Sequence, residues 1–438
     1  MRLIIIVVLA LAVILGYLFW RFSPSLFKKQ PAEVKDVNLV IYGLWEEEDL
    51  IKPAIEDYQK VKPKVHIKYN FQNIDNYRTR IQTFITGNEQ VDVFAIHNSW
   101  LPMFLNSNLL APLPNEIMSN TDYSKAFYPV AIQTLSKDSK IYAMPRGIDG
   151  LALYYNEDIL KAAGVDVPQT WDQFVSAAVK TTVADSKGNI QTAGAALGTT
   201  SNVDHWQDIV GLLLMQQSAG KIDTLDDQSK AEVLKFYSEF VTDPAKKVWD
   251  QTMPSSTQAF SEGKLAFYFG PSWRAQQFTS SQNLNFKTAP VPQLPGKNIT
   301  WGTFWAYAVS SKSTNSTEAW EFIKFLTSAE QQKKLYQEAS KVRLFGLPYS
   351  RVELQKEIAS DPIVGAFVIQ APTYKSWYLS SRTFDQGIND EMSKYFEDAI
   401  NSILKGSDAI SVVETVDKGI DQIYKTYGIS SPNPSADR

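Results

Sequence analysis

One short stretch of this chain switches between two periodicities, and that switching restricts the fold more than any other feature. Val37–Tyr42 is β-branched and apolar, the pattern of a buried strand. Ile51, Ile55 and Tyr58 then fall at helical steps, with Glu47, Glu48 and Asp49 just ahead of them. The spacing predicts a helix beginning near Lys52, with Pro53 in its first turn. There the missing N–H would be unpaired anyway, and the acids suit the positive end of the dipole. Val65, Ile67 and Tyr69 alternate as a second strand. Tyr77–Thr86 returns to the helical pattern and stops at Gly87, and Val91–Ile96 is a third short apolar run. Strands separated by helices of this length imply βαβ units with parallel strands, and hence an α/β fold.

The rest of the chain keeps the rhythm with more helix. Asp158–Ala163 reads as a helical stub closed by Gly164, and Trp171–Thr181 as a helix capped by Thr170. Leu265–Phe269 and Ala306–Val309 read as strands, Glu318–Leu326 as an amphipathic helix, and Asp390–Tyr427 as mostly helical. There is no repeat of solenoid period. With 438 residues, 44% of them hydrophobic and 21% charged, the chain can build two or three ordinary globular domains.

Several function classes are set aside by what is missing. The net charge is -4 and no Lys/Arg block stands out, so no nucleic-acid partner is expected. The absence of cysteine excludes disulfides, thiolate metal sites, cysteine nucleophiles and a lipid-modified cysteine. His66, His97 and His205 lie far apart, so there is no His-based zinc motif, and no metal or cofactor is expected. No G-x-S-x-G elbow, H-E-x-x-H, P-loop or G-x-G-x-x-G occurs, and no acid pair stands out by motif. The chain is therefore expected not to be an enzyme.

The first 22 residues bear on compartment. Leu3–Trp20 is an unbroken apolar run of about 18 residues, long enough for a short transmembrane helix. Arg2 precedes it, and Arg21, Lys28 and Lys29 follow. A cleaved signal peptide would want a shorter core and small residues at its end. This run ends instead in Tyr17, Leu18, Phe19 and Trp20, residues suited to a membrane interface. The expectation is an uncleaved anchor, with signal cleavage as the alternative. Residues 23–36, with Pro24 and Pro31, read as a linker, and residues 430–438 as a flexible tail.

Five segments, in order, carry a resemblance that covers nearly the whole chain from Val37 to Tyr427. They are Val37–Tyr58 with Val65–Asn70; TGNEQVDVFAIHNSWLPMFLNSNLLAPL (86–113); IYAMPRGIDGLALYYNEDILKAAG (141–164); FSEGKLAFYFGPSWR (260–274); and a Trp-Gly strand leading to AWEFIKFLTSAEQQ within 300–332. Together they resemble the family 1 extracellular solute-binding proteins of ABC importers, the group that includes maltose-type binding proteins. The resemblance implies two α/β lobes, each a mainly parallel sheet flanked by helices, with a multi-strand hinge and a ligand cleft between them. It implies lobe 1 from 37–147 plus 302–347, and lobe 2 from 148–301 plus 348–429. Crossovers are expected near Ile148–Gly150, Ile299–Thr303 and Leu344–Arg351, with Ile148, Gly150 and Gly302 in the hinge. It further implies a monomer on the extracytoplasmic face of a bacterial membrane that hands a solute, a sugar foremost, to permease subunits. Many relatives in single-membrane bacteria carry a lipid on a cysteine. Here the apolar helix would serve as the tether instead.

A sugar pocket combines aromatic rings for C–H faces with polar side chains for hydroxyls, and this chain has 11 tryptophans. Most tryptophans pack in cores; those just past strands are the candidates. Trp45 and Glu46 follow the first strand, where open α/β sheets bind ligands, although Glu46 and Glu47 could equally complement a helix dipole. Asn98 and Trp100 follow the third strand. Asp149 sits at the first crossover, as a ligand acid or as a salt-bridge partner of Arg146. Trp206, beside His205, opens a helix. Trp273 follows the FGPS turn at a position where relatives stack an aromatic on sugar, with Arg274 next to it. Trp301 and Trp305 flank the second crossover. Trp377 and Tyr378 resemble a further aromatic platform, with Arg382 nearby. A polyamine would need acids around aromatic boxes, which Asp149, Glu46 and Glu47 leave open. Anionic ligands would need clustered arginines, of which Arg274 and Arg382 are the only candidates. A membrane-tethered sensor and a glycan-acting enzyme are the remaining alternatives.

Overall fold

In the computed structural model, which describes residues 2–22, 36–87, 89–281 and 284–430, the strands Val37–Gly43, Val65–Phe71 and Val93–His97 are separated by the helices Glu48–Val61 and Tyr77–Thr86. The first strand lies between the other two and pairs parallel with both, the arrangement that helix-bearing connections produce. The first helix begins at Glu48, so Pro53 lies inside it and not in its first turn. Glu48 and Asp49 occupy the first turn themselves, at the positive end of the dipole. Pro53 gives up one backbone hydrogen bond in exchange.

Two more strands complete the first sheet, in the order Val65–Phe71, Val37–Gly43, Val93–His97, Trp305–Val309, Ala143–Pro145. A second five-stranded sheet runs Phe286–Ala289, Ala152–Asn156, Leu265–Gly270, Ile190–Ala195, Val183–Ala184. Both sheets are mixed, which corrects the expectation of mainly parallel ones. Trp305–Val309 is antiparallel to both of its neighbours, and Ala152–Asn156 to both of its own. Each of these strands enters straight from a crossover, with no helix to turn the chain round, so it runs back against its neighbours.

Each sheet carries its own apolar layer. On the first, Phe322 and Phe325 of the helix Ser316–Leu326 meet Tyr58 at ring separations of 5.0 and 5.1 Å. On the second, Phe174 of the helix Trp171–Thr181 packs on Phe267 and Phe269, each at 5.4 Å. Thr170 and Gln173 close that helix's N-terminus as a capping box. Such ring pairs add about 0.5–1.5 kcal/mol each beyond area burial. The helices Ile388–Leu404 and Ala409–Thr426 pack on each other and on the helix Asp227–Thr242.

Between the sheets the chain crosses repeatedly. Leu151 N–H donates to the Trp301 carbonyl (3.0 Å), Thr303 N–H to that of Asp149 (3.0 Å), Ile148 N–H to that of Pro348 (2.9 Å) and Gly302 N–H to that of Lys375 (2.8 Å). Thr300–Trp301 also pairs parallel with Tyr374–Lys375. Gly150 bridges Gly302. A Cβ on Gly150 would stand 2.1 Å from the Trp301 carbonyl oxygen, so the close approach needs a residue without a side chain.

The helix Arg2–Phe22 contains one span, Ile4–Arg21, long and apolar enough to cross a membrane, and none of that span is buried. Most of the expected linker (23–35) and of the tail (431–438) lies outside the described residues.

Candidate ligand-binding site

A cavity of about 410 Å³ opens where the two sheets meet at the crossing segments. Its walls come largely from loops just past strand ends: Trp45, Ile74, Arg146 to Asp149, and Pro271 with Trp273. This is where open α/β sheets place ligands, because side chains there converge without belonging to the core.

Three tryptophan rings face it. Trp45 and Trp273 come from opposite sheets, and each is 42% exposed, an unusual state for so large an apolar ring. Trp305 is the third, edge-on to Trp45 at 5.6 Å and to His97 at 5.3 Å. Trp100 lies fully buried beneath it, 5.0 Å away. Backbone strain gathers at the same place: Trp45 (φ 71), Arg382 (φ 54) and Phe384 (φ 53) all line the cavity in the left-handed region. Such residues cost about 1–3 kcal/mol each and persist where the surroundings enforce them, often at ligand sites.

The polar groups are held as firmly. Asp149 Oδ1 accepts from the N–H groups of Gly150 (2.8 Å) and Ser272 (2.9 Å), and Oδ2 accepts from Ser272 Oγ (2.8 Å). Burial nevertheless prevails over these bonds and pushes its carboxyl up to about 7. Asp208 accepts from Trp301 Nε1 (2.8 Å) and from the Ser381 N–H (3.2 Å). Arg146 forms an ion pair with Glu46, not with Asp149, and donates to the Leu44 carbonyl at 2.6 Å. Burial lowers both cavity histidines, His97 to about 3, so they present neutral rings. Among the described residues no three histidines or carboxylates converge to hold a metal ion.

The residues singled out from the sequence separate into three groups. Trp45, Glu46, Ile148, Asp149 and Trp273 line this cavity, with Trp305 and Arg382. Asn98, Trp377 and Tyr378 line a second cavity of about 550 Å³. There Asn98 Nδ2 donates to Ser376 Oγ (2.8 Å) while its Oδ1 accepts from Phe304 N–H (3.0 Å), and Trp377 Nε1 donates to Tyr424 Oη (2.8 Å). Trp100, Trp206 and Trp301 are buried in the core, and Gly150 and Gly302 in the crossing. Arg274 folds back over the Trp273 ring at 4.6 Å and donates through Nε to His205 Nε2 (3.0 Å). Sequence reasoning passed over His97, His205, Asp208, Thr303 and Arg343, all of which line the first cavity. His205 and Trp206 show why: both are buried at a helix start, but only His205 lines the cavity, and the sequence gives no sign of which of the two does.

Against known proteins, residues 45–333 match the family described as bacterial extracellular solute-binding protein. The chain belongs to that family. The chain is similar to the galactooligosaccharide-binding protein of Bacillus subtilis, 23% identical over 343 residues, covering 75% of this chain and 76% of that one. The multiple sugar-binding protein of Streptococcus mutans is 24% identical over 306 residues, covering 65% and 70%. In three dimensions the chain is similar to the cyclic α-maltosyl-1,6-maltose binding protein of Arthrobacter globiformis, with a TM-score of 0.73 at 15% identity over 89% of this chain and 99% of that one. It is also similar to the sugar-binding protein MalE of Xanthomonas citri, with a TM-score of 0.72 at 18% identity over 89% and 98%. The fold is thus the two-lobed, α/β fold of this family, with its cavity between the lobes.

Proposed function

We propose that this protein is the substrate-binding component of an ABC importer and captures a sugar or oligosaccharide in the cavity between its lobes. The observation that carries the reading is the pairing of Trp45 and Trp273, two half-exposed rings from opposite sheets that line one cavity beside hydrogen-bonded acids. Rings of this kind pack on the C–H faces of a sugar, while the remaining lone pairs of Asp149 and Asp208 meet hydroxyls. Relatives named for binding several different sugars support the same class.

The protein binds its ligand and leaves it unchanged. Glycoside cleavage needs two carboxyl groups free to exchange protons or attack. Asp149 and Asp208 are instead held by backbone and side-chain donors, and Glu46 by Arg146. The moving bodies are residues 37–147 plus 302–347 and residues 148–301 plus 348–429, turning about Ile148, Gly150 and Gly302. Ligand favours the closed form only through contacts made there and not in the open form. Taking the receptor from mostly open to mostly closed needs about 5.5 kcal/mol of that difference. The closed monomer then docks on permease subunits. The apolar helix at residues 2–22 stays uncleaved and holds the protein at the extracytoplasmic face of the membrane.

The test is a thermal-shift screen of the full chain in detergent against mono- and oligosaccharides, polyamines and amino acids. A ligand at a hundred times its Kd stabilises the folded state by about 2.7 kcal/mol. A shift with one sugar class, lost in Trp273→Ala, is the expected result. Shifts with polyamines alone would overturn the substrate class.

A further inference from the structure

Away from the crossing segments, the two halves of the molecule touch again beside the cavity. Arg343 and Leu347 line the cavity on a segment that belongs with the first sheet. Within it, a Cβ on Gly346 would stand 2.4 Å from the Cα of Tyr336 in the helix Ala329–Ala339, which packs on Glu48–Val61. Trp273 lines the cavity from the other half. The short helix Arg274–Phe278 follows it, anchored on the second sheet by Phe278 against Tyr154 at 5.5 Å. Gln276 of that helix reaches across. Its Oε1 accepts from the Leu344 N–H (2.8 Å), and its Nε2 donates to the Phe345 carbonyl (3.4 Å). Gln276, Leu344 and Phe345 do not themselves line the cavity. A second bridge lies near two other cavity residues, Ile74 and Phe384. There Arg78 donates to the carbonyls of Asp385 and Gln386, and Gln386 Nε2 donates to Asn76 Oδ1 (2.6 Å).

A primary amide carries a donor and an acceptor on one planar group, so one side chain answers the N–H of Leu344 and the carbonyl of Phe345 together. Both bonds run between the halves. They form only where the halves are close, and they need nothing in the cavity. They therefore favour the closed form over the open one before any ligand arrives. A receptor whose binding-competent form is a fraction of the whole binds more weakly by that fraction. A residue that raises the fraction tightens every ligand alike while touching none of them.

We infer that Gln276 is a positioning residue for capture: its amide latches the closed form of the ligand-free protein and so raises the affinity for whatever the cavity holds. This rests on the reading of the two halves as lobes that close on a ligand. The chain has no cysteine, so Lys52→Cys and Lys235→Cys, both at exposed helical positions, place one spin label on each half of the full chain in detergent. Pulsed distance measurement without ligand should show a closed population beside an open one. The closed-to-open ratio should fall about fivefold in Gln276→Glu, the worth of about one neutral hydrogen bond. That variant keeps the shape and the acceptor but has no donor for Phe345. Gln276→Ala, which removes both bonds, should lower the ratio at least as far. The bridge through Arg78 remains in both variants, so the closed population shrinks without vanishing. The Kd of each saccharide that binds should rise in step, with the ratio between any two saccharides unchanged. An equal closed population in wild type and both variants would overturn the latch. A Kd that rises for one saccharide and not for another would overturn it too, and would make Gln276 a direct ligand contact. A closed population that shrinks in the variants, in a protein that binds no saccharide, would uphold the latch and overturn the sugar reading.

Discussion

Trp273 and Asp149 make opposite kinds of demand on the molecule. Trp273 is 42% exposed, so Trp273→Ala should leave stability within about 0.5 kcal/mol while ligand affinity falls by about tenfold, the worth of one good ring contact. Calorimetric titration beside a melting curve separates the two. Asp149 is buried, and its carboxyl is raised to about 7 in the folded protein against 3.8 as the ordinary value. Between those values the folded state holds a proton that the unfolded state has lost. Stability should therefore fall as pH rises from about 4 to 7 and level off above, the reverse of a salt-bridged acid. Urea midpoints across that range should show the slope in the wild type and a shallower one in Asp149→Asn. At this scale the sequence is only half legible. Residue type marks Trp45 and Trp273 as sticky, but it marks Trp301 equally, and Trp301 is buried with its N–H committed to Asp208. What decides between them is the direction in which each ring leaves the backbone, and that depends on partners distant in the chain, such as Asp208 for Trp301.

Among elements, the local signals read well wherever the cause is local. The helix Trp171–Thr181 starts and ends where its cap and periodicity place it, because Thr170 and Gln173 bond within one turn. The sheet order is not legible in this way. Trp305–Val309 inserts between Val93–His97 and Ala143–Pro145, a choice made by the return path of the chain and not by the composition of the strand. The crossing segments make two sharp demands. Gly150→Ala would drive a methyl into the Trp301 carbonyl and the Tyr374 ring, and should cost about 1–3 kcal/mol of unfolding free energy. Trp301→Phe removes a donor from the buried Asp208, and should cost about 1.5–3 kcal/mol. Chemical denaturation reads both. A Gly150→Ala protein as stable as the wild type would mean that the crossing is looser than its geometry indicates.

For the whole molecule, closure is the property to measure. Saturating ligand should lower the radius of gyration in solution scattering, and an unchanged value at full occupancy would contradict a hinge mechanism. The helix at residues 2–22 calls for a separate measurement. Intact mass of protein recovered from a membrane fraction should include it, whereas a soluble product lacking those residues would identify it as a cleaved leader.

The insertion of Trp305–Val309 into the first sheet also bears on the order of synthesis. Until that strand has been made, Val93–His97 offers one open edge, and Ala143–Pro145 has no neighbour through which to join the sheet. The second sheet finishes at Ala289, but its body still awaits the helices Ile388–Leu404 and Ala409–Thr426. The first sheet therefore cannot be completed before residue 309 has been made, and pulse-labelled chains should gain protease resistance in that half only after that point.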